Sequence, residues 1–241
     1  MMLSDFASQF DPVVLDLDGV ILDSNGFKLD AMRTVLSRYD SAAAESFLAE
    51  FRAKFGRTRR EHFLSFHSQY LASRVGFEAF YDEAGRDYAS HVSKRYPTAA
   101  LCEGAAAFVH GLSQTGRAIY VVSGTMTDEA RTVLAARGLA SAFKDILGGP
   151  IRKIDHVLMI LRTDRRPDKP SLLIGDATED ARVAQECGMH FLFAEKYAIV
   201  PARDIIHQLG LQHIQTTVTL DPCAHIELRT VSATANASVM S

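Results

Sequence analysis

The sequence predicts an α/β protein: a parallel β-sheet flanked by helices, with a separate helical insertion after the first strand. Three observations carry this prediction. Short aliphatic runs ending in polar residues recur along the chain, as VVLDLDG from Val13, AIYVVSG from Ala118 and SLLIGD from Ser171. Such runs read as strands buried on both faces. Between the later runs lie segments with apolar residues at three- and four-residue steps, so helix and strand alternate as in a βαβ sheet. Between the first run and the second, residues 26–96 carry only helical spacing, for example Phe47, Leu48, Phe51 and Phe55.

Taken in order, residues 1–11 read as a polar lead-in, and Pro12 opens the first strand, a position where proline is tolerated. The insertion divides into GFKLDAMRTVLSRY, ESFLAEFRAKF, REHFLSFHSQYLA and FEAFYDEAGRDYASHVSKRY, and the alanine run at 42–44 suits helix or loop alike. Pro97 and Gly104 punctuate its end. EGAAAFVHGLSQTG reads as a helix closed by Gly116. After the AIYVVSG strand, TDEARTVLAARGL reads as a helix capped by Thr127 or Thr125 and closed by Gly138. DILGG is a short strand and turn, and KIDHVLMILR a helix stopped before Pro167. SLLIGD is a buried strand, ATEDARVAQECGM a helix closed by Gly188, and HFLFA a further strand. VTLDP and HIELRTV suit edge strands, and the small polar end SATANASVMS is expected to be disordered. The expected division is residues 1–22 and 97–215 for the core, 23–96 for the insertion and 216–241 for a partly disordered tail.

Composition narrows the function classes. At 241 residues, 47% hydrophobic and 23% charged, the chain is an ordinary globular one, of a size for one α/β domain or a core with an inserted subdomain. A net charge of −3 gives no electrostatic footing for nucleic acid or an anionic membrane. Cys102, Cys187 and Cys223 are odd in number and show no CxxC spacing. That argues against a disulfide framework and for a reducing compartment. The first residues carry no basic or long apolar signal segment, and no apolar run is long enough to span a bilayer. A cytoplasmic location is therefore expected.

The candidate chemistry lies at the strand ends. Asp16 and Asp18 follow the first strand, where open α/β sheets bind ligands. Two residues apart, their side chains would diverge on a regular strand, and Gly19 allows the turn that lets both serve one site. Paired carboxylates suit a hard divalent cation such as Mg²⁺, or covalent catalysis in which one attacks and the other handles a proton. Ser123, in VVSGT, is a small hydroxyl beside a glycine, able to bond a phosphate oxygen next to exposed backbone amides. Lys153 opens a helix and offers a compact positive charge. Asp176 and Asp180, in GDATED, stand one helical turn apart. Taken singly, the first pair reads as readily as an Asp-rich turn, Ser123 as a helix N-cap, Lys153 as a surface lysine, and the last pair as a turn and a charge at a helix N-terminus. In this order and at repeated strand ends, they point to one site.

The motifs DLDGV, VVSGT, GGPIRK and GDATED, in that order over about residues 12–195, resemble those of the haloacid dehalogenase superfamily of phosphotransferases. The resemblance implies a Rossmann-like core and phosphoryl transfer through an aspartyl-phosphate. It implies Asp16 as nucleophile and metal ligand. Asp18 would be general acid and then base, lending its backbone carbonyl to Mg²⁺. Ser123 with the Gly124, Leu17 and Asp18 amides would bind the phosphoryl group, Lys153 would stabilise its charge, and Asp176 and Asp180 would hold and support the metal. The insertion resembles the family's C1-type cap, which implies substrate contacts from residues 23–96. Candidates are Asn25, Lys28 and the run Gly56-Arg57-Thr58-Arg59-Arg60, Arg57 first among them; His62 and His67 read as face or core histidines.

Within the family, Asp18 disfavours halide displacement, because dehalogenating members lack that aspartate and need no Mg²⁺. DGVILDSN resembles the β-phosphoglucomutase and phosphoglycolate phosphatase branch, although the mutases carry histidine where this chain has Lys28. DSNGFKLDAM also resembles phosphatases of sugar-nucleotide and polysaccharide pathways, and Lys28 or Lys54 could serve as the Schiff-base lysine of a phosphonate hydrolase. The expectation is a Mg²⁺-dependent phosphatase of a small phosphorylated metabolite such as a sugar phosphate, monomeric or homodimeric. The alternatives are a phosphosugar mutase and a non-catalytic binding protein on the same scaffold.

Overall fold

Burial on both faces makes the first aliphatic run the centre of the sheet. In the computed structural model, which describes residues 1–230, Val13, Val14 and Leu15 are all buried. They form strand β1 (Val13–Leu15). The others are β2 (Ile119–Met126), β3 (Asp145–Gly149), β4 (Leu172–Gly175), β5 (His190–Ala194), β6 (His213–Thr217) and β7 (Glu227–Thr230). They form one sheet in the order β3-β2-β1-β4-β5-β6-β7. All neighbours are parallel except β6 and β7. Val13 lies opposite Ile119 on one side and Leu172 on the other. The chain runs outward from β1 to β3 and then returns to the far side at β4. The crevice beyond β1 and β4 is therefore the switch point where sheets of this order place ligands.

The period of two along β1 separates two cores. Val13 and Leu15 face α6 (Ala105–Ser113) and α7 (Thr127–Ala136), packing with Phe108, Val109, Val133 and Leu134. Val14 faces α8 (Lys153–Asp164) and α9 (Thr178–Glu186), packing with Val157, Ile160, Val183 and Ala184. Helix α10 (Ala202–Leu209) covers the far end of the sheet through Ile205 and Ile206.

Between β1 and α6 lie the four helices of the insertion, α2 (Asn25–Leu36), α3 (Ser41–Ala53), α4 (Arg59–Phe66) and α5 (Phe77–Arg95). The alanine run at 42–44 is in the first turn of α3, whose N-cap Asp40 accepts the Ala43 amide at 2.9 Å. The three- and four-residue spacing converges aromatic rings on one interior: Phe47 and Phe66 have centroids 5.4 Å apart, and Phe63 and Phe80 5.8 Å apart. Thr58 begins α4 through a capping box with Glu61, and one wide turn of helix continues it over His67–Leu71.

Four expectations are corrected. The polar lead-in contains a helix, α1 (Leu3–Ala7), because Leu3, Phe6 and Phe10 have a core to enter against α6. Phe6→Ala is therefore expected to cost ~3–5 kcal/mol of stability, read from chemical denaturation. The tail boundary at 215 cuts through β6, and β7 extends the sheet within HIELRTV. VTLDP is a turn rather than a strand, since Asp221 accepts the Cys223 amide at 2.8 Å and Leu220 donates its amide to Glu103. Neither Thr125 nor Thr127 caps α7: the preceding residue is Met126, Thr125 binds Asp18, and Thr127 Oγ1 accepts the Gly148 amide. SATANASVMS lies outside the described residues. Among the described residues the three cysteines are free, and no helix is long and apolar enough to cross a membrane.

Candidate active site

The ends of β1 and β4 bring three carboxylates together. Asp16 follows β1, Asp176 follows β4, and Asp180 is in the first turn of α9. One oxygen of each lies within 4.8 Å of the others, and all three residues are buried. Gly19, at φ +78°, makes the turn after Asp18 possible, and a Cβ there would fall 2.0 Å from Asp176 Oδ2. Lys153, the first residue of α8, reaches between them, 3.1 Å from Asp16 Oδ1 and hydrogen-bonded to Asp180 Oδ1. Asp16 Oδ1 also accepts the Leu17 amide at 2.7 Å. Asp180 Oδ2 accepts the Ala177 amide at the start of its own helix.

The electrostatics of this cluster are unbalanced. Burial pushes Asp16 up to about 7, against the pull of Lys153 and with the push of Asp180 and Asp18. Burial also raises Asp176 well above the carboxylate range and Asp180 above it, the neighbouring carboxylates adding to both. With all three carboxyls ionised, as a bound cation would require, three carboxylates and one ammonium leave two negative charges, the complement of one divalent cation. Asp176 Oδ1 is buried with no hydrogen-bond partner. An all-oxygen set with an orphaned carboxylate oxygen fits a hard cation such as Mg²⁺.

Asp18 sits in a different environment. Its side chain is not part of that cluster. Lys28 donates to Oδ2 at 2.7 Å, Ser24 and Tyr96 donate to Oδ1 at 2.6 and 2.7 Å, and Thr125 and Ser123 donate to Oδ2 at 2.8 and 3.2 Å. Burial works to raise its pKa, but Lys28 and these donors outweigh burial and hold it at about 2. Ser123 and Thr125, two apart on β2, both donate to the same carboxylate oxygen. Ser123 is therefore a strand residue, not a helix N-cap.

The family model for haloacid dehalogenase-like hydrolases matches residues 13–194, which contain every residue of this site. The chain belongs to that family. Its fold is shared with a hydrolase from Pseudomonas syringae (TM-score 0.71, 16% identity, covering 88% of this chain and 95% of that one). It is also shared with a predicted phosphoglycolate phosphatase from Haemophilus somnus (0.62, 17%, 82% and 91%). A third such structure is β-phosphoglucomutase from Clostridium difficile (0.62, 17%, 88% and 92%). No functionally curated protein matches significantly.

The helical insertion closes the site from above. Gly56 and Arg57 lie against Gly124: a Cβ on Gly124 would stand 2.3 Å from the Arg57 carbonyl oxygen. Arg57 also reaches Glu179 of α9 at 3.5 Å. Lys28 and Arg57 line a cavity of about 30 Å³ with Asp16, Asp18, Ser123 and Gly124. Asn25 is elsewhere: it donates to Asp176 Oδ2 at 2.6 Å and to the Tyr197 carbonyl at 3.0 Å, and so holds a carboxylate of the cluster rather than lining the cavity. Sequence reasoning missed Ser24, Tyr96 and Thr125 around Asp18, and His62 and Tyr88 in the cavity wall. Thr125 was signalled by its two-residue spacing from Ser123; the others become neighbours only through folding. Gly124→Ala is expected to push the insertion away from the core and lower kcat/KM about 10²-fold, with a melting temperature close to wild type. Steady-state kinetics beside a melting curve checks this, and unchanged kcat/KM would remove any role for this close contact.

Proposed function

We propose that the chain is a Mg²⁺-dependent phosphatase that hydrolyses a small phosphorylated metabolite through an aspartyl-phosphate on Asp16. The observation that carries the reading is the pairing of two carboxylates, Asp16 and Asp18, in opposite electrostatic settings at one strand end. Asp16 shares Lys153 with Asp180 and belongs to a cluster two positive charges short. Mg²⁺ held by Asp16, Asp176 and the Asp18 carbonyl, with Asp180 in support, would supply that charge and draw electron density from the phosphoryl oxygens. The Asp16 carboxylate attacks phosphorus, and the ester oxygen leaves. Lys153 offsets charge on Asp16 and on the transferring group, while Ser123 and the Leu17, Asp18 and Gly124 amides receive the equatorial oxygens.

Asp18 serves the proton steps. Ionised and bonded to Lys28, it is set as the base that activates water against the phosphoenzyme. To act earlier as the acid, its carboxyl must take up a proton and exchange the Lys28 contact for the leaving oxygen. Residues 23–96 act as the cap, whose closure over Gly124 excludes water from the attack. The phosphatase rather than the mutase is favoured by Lys28, because its ammonium is committed to Asp18 and Thr125 at 2.7 and 2.9 Å.

Phosphate release from a panel of phosphomonoesters tests the proposal. Release is expected with Mg²⁺ and is lost with EDTA. Turnover that needs a bisphosphate and releases little phosphate would replace the phosphatase with the mutase. Ligand binding without any phosphoenzyme would replace both with a binding role.

A further inference from the structure

The cap side of the cavity carries information about the leaving group, and its reading rests on the phosphatase proposal above. Its cations are already matched. Lys28 is paired with Asp18, and Arg59 makes a two-pronged contact with Glu129 at 2.7 and 3.0 Å. Arg57 lies 3.5 Å from Glu179. No cation of this wall stands without a carboxylate neighbour among the described residues.

Two polar side chains differ from this pattern. His62 and Tyr88 line the cavity and are only 5% and 3% exposed. Neither is hydrogen-bonded to another side chain among the described residues, and the shifts of both arise from burial and charge alone. Other buried rings behave otherwise. His67 bonds the Val75 carbonyl at 2.7 Å, His156 the Gly148 carbonyl at 2.9 Å, and Tyr96 the Asp18 carboxylate. Neither residue's polar atoms are among the fully enclosed ones that lack a partner, so they open onto the cavity both residues line, where a ligand's polar groups can meet them.

Their chemistry narrows that partner. Burial, then Arg57 and Lys28, pushes His62 down to about 3, with Glu50 alone opposing. The ring is therefore neutral, with one donor and one acceptor nitrogen. Burial raises the Tyr88 phenol, which stays protonated and both donates and accepts. The Phe51 ring packs on His62 with centroids 4.5 Å apart, and Phe55 follows at 5.2 Å from Phe51. Alternating donors and acceptors beside an aromatic wall suit a molecule with hydroxyls on one side and C–H on the other.

We propose that His62 and Tyr88 form the leaving-group subsite and select phosphomonoesters of small uncharged polyols or sugars, whose hydroxyls they bond. They are specificity-determining residues. The test compares wild type, His62→Phe, His62→Gln and Tyr88→Phe on three kinds of ester with Mg²⁺. Glycerol phosphate and ribose phosphate are uncharged beyond the phosphate, phosphoglycerate and phosphoserine carry a carboxylate, and p-nitrophenyl phosphate lacks leaving-group hydroxyls.

Wild type is expected to favour the first kind over the second at least about tenfold in kcat/KM. His62→Phe and Tyr88→Phe are expected to lower the ratio of polyol ester to p-nitrophenyl ester about tenfold, chiefly through KM. His62→Gln, which keeps a donor and an acceptor, should retain more of the ratio than His62→Phe. Preference for the carboxylated esters overturns the proposal, as does an unmoved ratio in folded variants. If wild type hydrolyses none of these esters, the phosphatase reading fails by itself. The subsite is then decided by calorimetry of glycerol phosphate and ribose phosphate with wild type and Tyr88→Phe. Binding weakened in the variant keeps the subsite, and equal binding or none removes it.

Discussion

Asp16→Asn is expected to end turnover, by on the order of 10⁴-fold or more, in a protein that stays folded. The amide cannot attack phosphorus. It can still accept the Leu17 amide, which Asp16 Oδ1 accepts at 2.7 Å. Stability follows from the pKa. In the folded protein without metal, Asp16 is pushed up to about 7 by burial, with Asp180 and Asp18 adding to the rise against Lys153. A carboxyl raised from its ordinary value of 3.8 binds more protons folded than unfolded between those values. Its stabilising contribution is thus present below about pH 4 and lost as pH rises through about 7. With EDTA, wild type should lose a few kcal/mol across that window, and Asp16→Asn should lose less. Melting curves at several pH values check this, beside phosphate release. Turnover near the wild-type rate would remove Asp16 as nucleophile; a collapsed fold would show that the carboxylate is chiefly structural.

How much of this site could be read in advance depends on how local each contact is. Asp16, Asp176 and Asp180 declared themselves because a buried strand brings its C-terminal residue to the crevice, and β1 and β4 are neighbours at the switch point. Lys153 was legible as the first residue of a helix after a strand. The surroundings of Asp18 were not. Tyr96 is 78 residues away in sequence and arrives at the end of the helical insertion. Asn25 has the same origin in reverse: its place just after the nucleophile loop suggested a substrate contact, but it turns toward Asp176, 151 residues on. The helix at Leu3–Ala7 was missed because five residues carry too little periodicity, and their burial depends on a core made by distant elements. The same limit hid His62, which reads as a core histidine until Phe51 and the cavity stand beside it.

The second large effect is expected at Lys153. Its ammonium is buried, with 1% of the side chain exposed, between Asp16 and Asp180. Burial alone would lower its pKa, but the two carboxylates outweigh burial and raise it, so the charge persists. Lys153→Met keeps the length and removes the charge, leaving the carboxylates of Asp16, Asp176 and Asp180 without a counterion. Breaking a buried pair from one side costs ~3–5 kcal/mol, and the lost charge stabilisation should lower turnover about 10³-fold. Without Lys153 the three carboxyls rise further, so the variant's deficit in EDTA should be largest at neutral pH and shrink toward pH 4. Mg²⁺ at neutral pH should recover part of the stability but not the rate, because the cation neutralises the cluster without restoring the donor on Asp16. Denaturation with and without Mg²⁺ at two pH values separates these terms. A variant as stable as wild type at neutral pH in EDTA would mean that the carboxyls are already protonated. The charge deficit that argues for a divalent cation would then be absent.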